Sequence, residues 1–390
     1  MRLQNLNTRN KLLLSSLIII GITLLIYFLS AKQEMRMSPL GQPTNLPNHP
    51  IYSQYIYTQN DTTINIGFQP LYLPTGIIFE VIKRDRILQN VLKRLGKKIA
   101  YFPYIKGADI NFFLKQKELV AGVGGDMPAL SASSEFDIII PVILQKGNVS
   151  IVSSQPMLTN DMKGKRIAYP FGSISHYFLL DQLHDAGIKD NEVTLIPMDV
   201  RFMADALHNN KIDLFSAWEP IVASALKQYP KFFMTYRRIS TGYLYFSRKF
   251  AVNNPKAVNH ILAAVIRAFT WMKKDRRNLL LACQWNLTEM EKLTGGKDIL
   301  DTEEIADLAL KDILGYNSKF SIVINENDTQ INSPLHQEFR FLKGLNKVPA
   351  SSRWDKVSKS FNRNLILKIF KQPKKYNLNK FDYDTAFKEH

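Results

Sequence analysis

The run from Asp161 to His176, DMKGKRIAYPFGSISH, reads as a polar turn, a short strand, a Gly-Ser corner and a helix that begins near Ser173. A helix start leaves backbone N–H groups without partners and carries a partial positive charge, so such a corner can hold an anion or a polar headgroup. Gly172, Ser173 and Ser175 would give it N–H and hydroxyl donors, with Phe171 as an aromatic face beside them. Further on, the run from Ile212 to Pro220, IDLFSAWEP, reads as a second strand that ends in polar and aromatic residues. Its Trp218 indole could cover an apolar ligand body, and Glu219 could pair with a cation. Gly125 and Asp126 open another helix, where Asp126 could accept a hydrogen bond from an amine or amide. Gln69, at the end of the first strand, and Tyr243, at the start of a late one, complete the candidate set. Plainer roles exist for several of them. Ser173 and Asp126 can cap helices, Trp218 can be a packed aromatic, and Glu219 can be a carboxylate at a helix start.

These residues sit on a chain that alternates strands and helices. Strands are expected at 64–68, 98–104, 120–124, 136–144 and 149–153. A second sheet is expected from strands at 166–169, 193–197 and 212–218, with a further strand at 243–247. Ile78, Val81, Ile82, Leu88, Leu92 and Leu95 show helical spacing up to Gly96. Helices follow at 255–273, 277–294 and 301–314, where Asp301 and Glu304 form a capping pair. A last strand at 320–324 and a helix near 334–345 precede a basic, less regular segment. Such alternation argues for an α/β fold with parallel sheets. In open α/β sheets ligands bind beyond the carboxyl ends of the strands, where the corners at 68–71, 124–128, 172–176 and 218–220 fall.

Composition narrows the chemistry. The chain of 390 residues has one cysteine, Cys283, so it forms no internal disulfide and no cysteine-rich metal site. Seven histidines are scattered without a paired-ligand spacing, and neither a metal nor a cofactor is expected. The net charge is +17, with thirteen Lys and Arg against five Asp and Glu in residues 336–390. Over the globular part this reads as a lysine-rich solvated surface rather than a nucleic-acid site. For the tail, contact with a membrane surface or a partner is a second reading.

Arg2, Arg9 and Lys11 precede an apolar stretch from Leu12 to Ala31, about 20 residues, enough for a helix to cross a hydrocarbon core. The preceding positive charges keep the N-terminus cytoplasmic and export the rest. The end of the stretch, YFLSA, places Leu29 where a signal-cleavage site wants a small residue, which favours a retained anchor over a cleaved signal peptide. Residues 32–60, with four prolines, read as a tether.

In order and spacing, several segments together resemble the solute-binding proteins of ABC importers in the nitrate, sulfonate, taurine and pyrimidine-precursor group. They are Ile66-Gly-Phe-Gln69, Gly124-Gly-Asp-Met-Pro128, Met162-Lys-Gly-Lys-Arg-Ile-Ala168 with Gly172-Ser-Ile-Ser175, Ala206-Leu-His-Asn-Asn-Lys-Ile-Asp213, and Trp218-Glu-Pro220. The resemblance implies a two-lobed architecture of the type II periplasmic-binding-protein kind, with a ligand cleft between lobes. Lobe 1 would comprise residues 61–150 and 245–348, lobe 2 residues 151–244, with 349–390 as a basic extension. It implies closure on a small-molecule ligand, docking on ABC permease and ATPase subunits, and work at the periplasmic or other extracytoplasmic face. The expected anchor and the basic extension depart from that pattern. An enzyme of pyrimidine or quinone-precursor synthesis on the same fold is an alternative; His176 would be its only starting point for catalysis. A membrane-anchored ligand sensor is a third reading.

Overall fold

The computed structural model describes residues 46–318 and 320–385. The expected membrane segment, residues 1–31, lies outside them. Among the described residues no helix is long and apolar enough to cross a membrane. The chain divides into two units, residues 1–49 and 50–390. Of the first, only residues 46–49 are described, with a 3-10 turn over Leu46–Asn48. The second unit carries everything that follows.

At its centre is one mixed sheet of eight strands. Strands β1 (Thr63–Phe68), β2 (Lys98–Pro103) and β3 (Ala121–Gly125) run parallel in one half. Strands β5 (Arg166–Tyr169), β6 (Thr194–Pro197) and β7 (Leu214–Trp218) run parallel in the other. Between the halves lie two long antiparallel strands, β4 (Ile138–Ser153) and β8 (Phe233–Ser247), and the strand order is β2-β1-β3-β8-β4-β7-β5-β6. The second sheet expected from the sequence is therefore half of a single sheet. The polar break Lys146-Gly147-Asn148 looks like a turn, yet it stays extended because it pairs with Ile239, Ser240 and Thr241 of β8. At roughly 3.3 Å per residue, β4 spans on the order of 50 Å and reaches both halves. Register shifts at Ile139/Val142, Ile143/Gln145 and Ile151/Val152 let it bend on the way.

Helices follow the strands as α/β alternation requires. Helix α1 (Thr75–Lys83) follows β1, α2 (Arg86–Arg94) precedes β2, and α3 (Gly107–Lys115) and α4 (Asp126–Glu135) flank β3. In the second half, α5 (Ile174–Asp185), α6 (Val200–His208) and α7 (Ile221–Gln228) play the same part. Next come α8 (Arg248–Asn253), α9 (Pro255–Lys274), α10 (Arg276–Thr294) and α11 (Thr302–Leu310). Proline stands at the first position of α9, where its missing N–H costs no helix bond. The expected capping box of α11 forms: Glu304 N–H donates to Asp301 and Asp301 N–H to Glu304, at 2.9 and 2.8 Å. Strand β1 is buried on both faces although Thr63 and Asn65 alternate with Ile64 and Ile66; the Asn65 amide donates to the Thr58 and Glu118 carbonyls at 3.2 and 2.9 Å.

Three segments behave differently from expectation. Residues 50–60, expected within the tether, pack on the domain. Tyr52 is buried among Tyr104 and Phe113, and its hydroxyl donates to Asp109 at 2.8 Å. Residues 320–324 form turns rather than a strand. Their Ile322 carbonyl nevertheless accepts the Ile143 N–H of β4, at 2.9 Å. The basic segment after Pro349 is no loose tail. It follows α12 (Pro334–Gly344) and contains α13 (Trp354–Ser358) and α14 (Arg363–Phe370), with Ile366 and Ile369 fully buried. Ile140 N–H donates to Ser360 and Asn362 N–H donates to Ile140, at 2.7 and 2.8 Å. The first part of β4 pairs only with β8, so its other edge would be open; residues 322 and 360–362 occupy its N–H and C=O groups there. The buried Arg267 guanidinium ties the same segment to α9 by donating to the Tyr376 carbonyl at 2.8 Å and pairing with Asp85 at 2.7 Å.

Candidate functional site

The ends of β3 and β5 each turn into a helix through a glycine and a polar residue. At the first, Gly125 pairs with Gly242 of β8. A side chain at either glycine would run into Tyr72, whose hydroxyl lies 3.2 and 3.0 Å from where those Cβ atoms would stand. Asp126, the first residue of α4, does not cap that helix. One carboxylate oxygen accepts the Thr241 N–H at 3.0 Å, and the other accepts the Tyr243 hydroxyl at 3.0 Å. Burial pushes the Asp126 carboxyl up to about 6, although both hydrogen bonds and Arg238 act to lower it.

At the second corner the groups satisfy one another. Gly172 takes left-handed backbone, φ +73, and a Cβ there would meet the Ala108 Cβ of α3 at 2.8 Å. Its N–H donates to His176 Nδ1 at 3.2 Å. Ser173 is the N-cap of α5: its hydroxyl donates to the Pro170 carbonyl at 2.6 Å and accepts the His176 N–H at 3.3 Å. Ser175 is fully buried, and its hydroxyl has no hydrogen-bond partner among the described residues. His176 stacks on Tyr169 at 4.3 Å between ring centres, with Phe171 at 5.1 Å. Burial, helped by Lys347, pushes the imidazole down to about 3, so it is neutral near pH 7. A buried neutral ring already accepting a backbone N–H is poorly placed to start catalysis.

Of the remaining candidates, Trp218 and Glu219 bind the two halves together, and Gln69 stays within the first half. Trp218, 2% exposed, donates its indole N–H to the Leu71 carbonyl at 2.6 Å and meets Tyr72 edge-on. The Glu219 carboxylate accepts the Ala223 N–H at 3.0 Å in the first turn of α7, and its backbone carbonyl accepts the Leu73 N–H at 3.1 Å. Burial raises the Glu219 carboxyl. Gln69 donates its amide to the Val123 carbonyl at 3.2 Å, on the neighbouring β3.

Beside this junction lies a cavity of about 340 Å³. Asp126 and Tyr243 border it, together with Tyr177 of α5, Arg238 of β8, Asp328 and Glu338 of α12. Arg238 forms an ion pair with Asp181 and lies over the Tyr177 ring, 5.4 Å from its centre. The volume suits a small organic solute. Among the described residues no group of three or more His, Cys, Asp or Glu is arranged to hold a metal ion.

Residues 144–278 match the family model described as NMT1/THI5 like. That span holds most of β4, all of β8 and the whole second half of the sheet. An Escherichia coli (strain K12) protein named for binding aliphatic sulfonates is 29% identical over 175 residues, 42% of this chain and 52% of that one. The taurine-binding periplasmic protein of Escherichia coli (strain K12) is 31% identical over 134 residues, 33% of this chain and 42% of that one. The chain thus spans about half the length, or less, of these curated relatives. In structure, the chain is similar to the periplasmic aliphatic sulphonate binding protein SsuA from Escherichia coli, with a TM-score of 0.56 and 18% identity over 79% of this chain and all of that one. The fold is that of the periplasmic solute-binding proteins.

On this solute-binding fold, the candidates divide into two sets. Asp126 and Tyr243 border the cavity. Gly125, Gln69, Trp218 and Glu219 pack the junction beside it, and Phe171, Gly172, Ser173 and Ser175 gather around His176; none of these eight borders it. Sequence reasoning missed Arg238, because β8 was expected to begin only at Tyr243. It also missed Glu338, for which a signal existed. Leu335 and Leu342, three before and four after it, are core positions of α12 and put Glu338 on the apolar face of an amphipathic helix.

Proposed function

We propose that this protein is the extracytoplasmic solute-binding component of an ABC importer. It captures a small polar solute of the sulfonate, nitrate, taurine or pyrimidine-like class between two lobes, residues 61–150 with 245–348 and residues 151–244. Closure of the lobes presents the loaded form to the permease and ATPase subunits, and the apolar run Leu12–Ala31 holds the protein at the membrane. The observation that carries this reading is the bonding of strand ends from both halves across one junction beside a solute-sized cavity. Asp126 reaches β8, and Trp218 reaches Leu71. The solute-binding fold and the names of the curated relatives support it. No catalytic step enters the reading, since the named relatives are binding proteins and His176 is neutral and internally bonded.

The test is thermal unfolding and titration calorimetry of the full chain against alkanesulfonates, taurine, nitrate and pyrimidines. A binder present at 100 times its dissociation constant adds about 2.7 kcal/mol of stability. At least one solute should raise the melting temperature and saturate with one site per chain. Failure of every one of these solutes to bind would remove the reading.

A further inference from the structure

The cavity beside the junction carries a charge imbalance that its place in the fold does not explain. Three carboxylates border it, those of Asp126, Asp328 and Glu338, against two cations, Lys146 and Arg238. Arg238 is already paired with a fourth carboxylate, Asp181. Glu338 is 5% exposed, and its Oε1 has no hydrogen-bond partner among the described residues. A buried carboxylate oxygen left without a donor is expensive, so a site that keeps one is a site that expects a donor. Asp126 has accepted one hydrogen bond on each oxygen and has lone pairs left for another. A simple anion entering here would meet Glu338 and Asp126 with nothing to offer either. An ammonium group supplies N–H donors to the open oxygen and relieves the crowding of like charges. Lys146 remains for an acidic group on the same molecule.

We propose that this cavity takes a solute bearing a protonated amine, with Glu338 as the residue that anchors the ammonium group. The proposal rests on the solute-binding reading and names the chemistry its ligand must have. Burial, with the nearby Asp126 carboxylate, raises the Glu338 carboxyl, and a cation seated beside it would favour the charged form. A purely structural Glu338 would be indifferent to what the solute carries.

The experiment is calorimetry on the full chain with pairs of probes that differ only at the amine: taurine against isethionate, and β-alanine against 3-hydroxypropionate. Ethanesulfonate and nitrate serve as amine-free controls. In the native protein an amine probe should bind at least tenfold more tightly than its hydroxyl partner, the scale of one charge-assisted hydrogen bond. Glu338→Gln should reduce that preference to less than threefold. Circular dichroism and the melting temperature establish that the variant is folded; if it is not, the preference measured on the native protein decides alone. Equal or tighter binding of the hydroxyl partner overturns the amine proposal and leaves solute binding standing. So does binding of nitrate or ethanesulfonate without any amine probe. A preference that survives Glu338→Gln in a folded variant overturns the anchor. Silence from every probe and every solute of the wider screen removes both readings.

Discussion

The two strand-to-helix corners, Gly125-Asp126 and Gly172-Ser173, start from the same local recipe and end in opposite states. Both place a glycine where the chain must turn closely and a polar residue where a helix begins. At the first, the polar side chain leaves its own helix, reaches β8 and borders the cavity. At the second, Ser173, Gly172, Pro170 and His176 satisfy one another, and a methyl group of α3 closes over the glycine. A helix start can hold an anion only if its donors are free. Where the neighbouring side chains point decides whether a corner serves a ligand or the fold.

The largest effect should separate the corners outright. Asp126→Ala leaves the Tyr243 hydroxyl and the Thr241 N–H without an acceptor; at 1–3 kcal/mol for each buried orphan, urea unfolding should show a loss of about 4 kcal/mol. Solute binding should fall at least tenfold as well. An Asp126→Ala protein that binds as tightly as the native one would erase the difference between the corners.

A second contrast is one of sign with pH. The folded Asp126 titrates near 6 against 3.8 for the free group, so its contribution to stability is complete below 3.8 and is lost as pH rises through 6. The folded His176 titrates near 3 against 6.5, so its contribution is complete above 6.5 and is lost as pH falls toward 3. At about 1.4 kcal/mol per unit, the His176 effect is on the order of 4 kcal/mol. Melting temperatures from pH 7 to 4 should fall less steeply in His176→Gln than in the native protein, and more steeply in Asp126→Asn. Both variants shifting the same way would mean that the corners do not differ electrostatically.

Smaller effects sharpen the picture. Gly172→Ala puts a side chain into left-handed backbone and against Ala108, a cost of about 2 kcal/mol in denaturant. Gly125→Ala escapes the backbone penalty, its φ of −71 being ordinary, but the new Cβ would stand 2.9 Å from the Ile174 Cβ and 3.2 Å from the Tyr72 hydroxyl, so it too should lose stability. Ser173→Ala should cost about 1 kcal/mol, the value of an N-cap, with the solute dissociation constant within twofold of native. A tenfold loss of affinity there would show that the second corner meets the ligand after all.

Much of this was legible in the chain, and the limits have physical causes. The parallel strands, the helices after them and the capping pair Asp301 and Glu304 are local matters of periodicity and short-range hydrogen bonding. Asp126 and Tyr243 could be picked out as polar or aromatic groups at strand ends. Arg238 could not, because Phe233 to Ile239 carry no clean alternation; they are strand only because β4 pairs with them. Glu338 was hidden differently. Its place on an apolar helix face was visible, but the carboxylate that shares the cavity with it, Asp126, lies more than two hundred residues earlier. The basic C-terminal segment gave no sign that residues 360–362 would cover the free edge of β4, since an edge exists only once a sheet has formed.

The sequence by itself determined the succession of strands and helices, the strand-end positions of the polar residues, and the lack of any means to form an internal disulfide. These follow from the spacing of apolar side chains and from what each residue type can bond to nearby. Only the tertiary structure decided that there is one sheet rather than two, that the Gly172 corner is closed, and that a cavity with an unanswered carboxylate lies beside the junction. Those outcomes depend on which groups far apart in the chain meet first and use up each other's hydrogen bonds, and no local pattern records that competition.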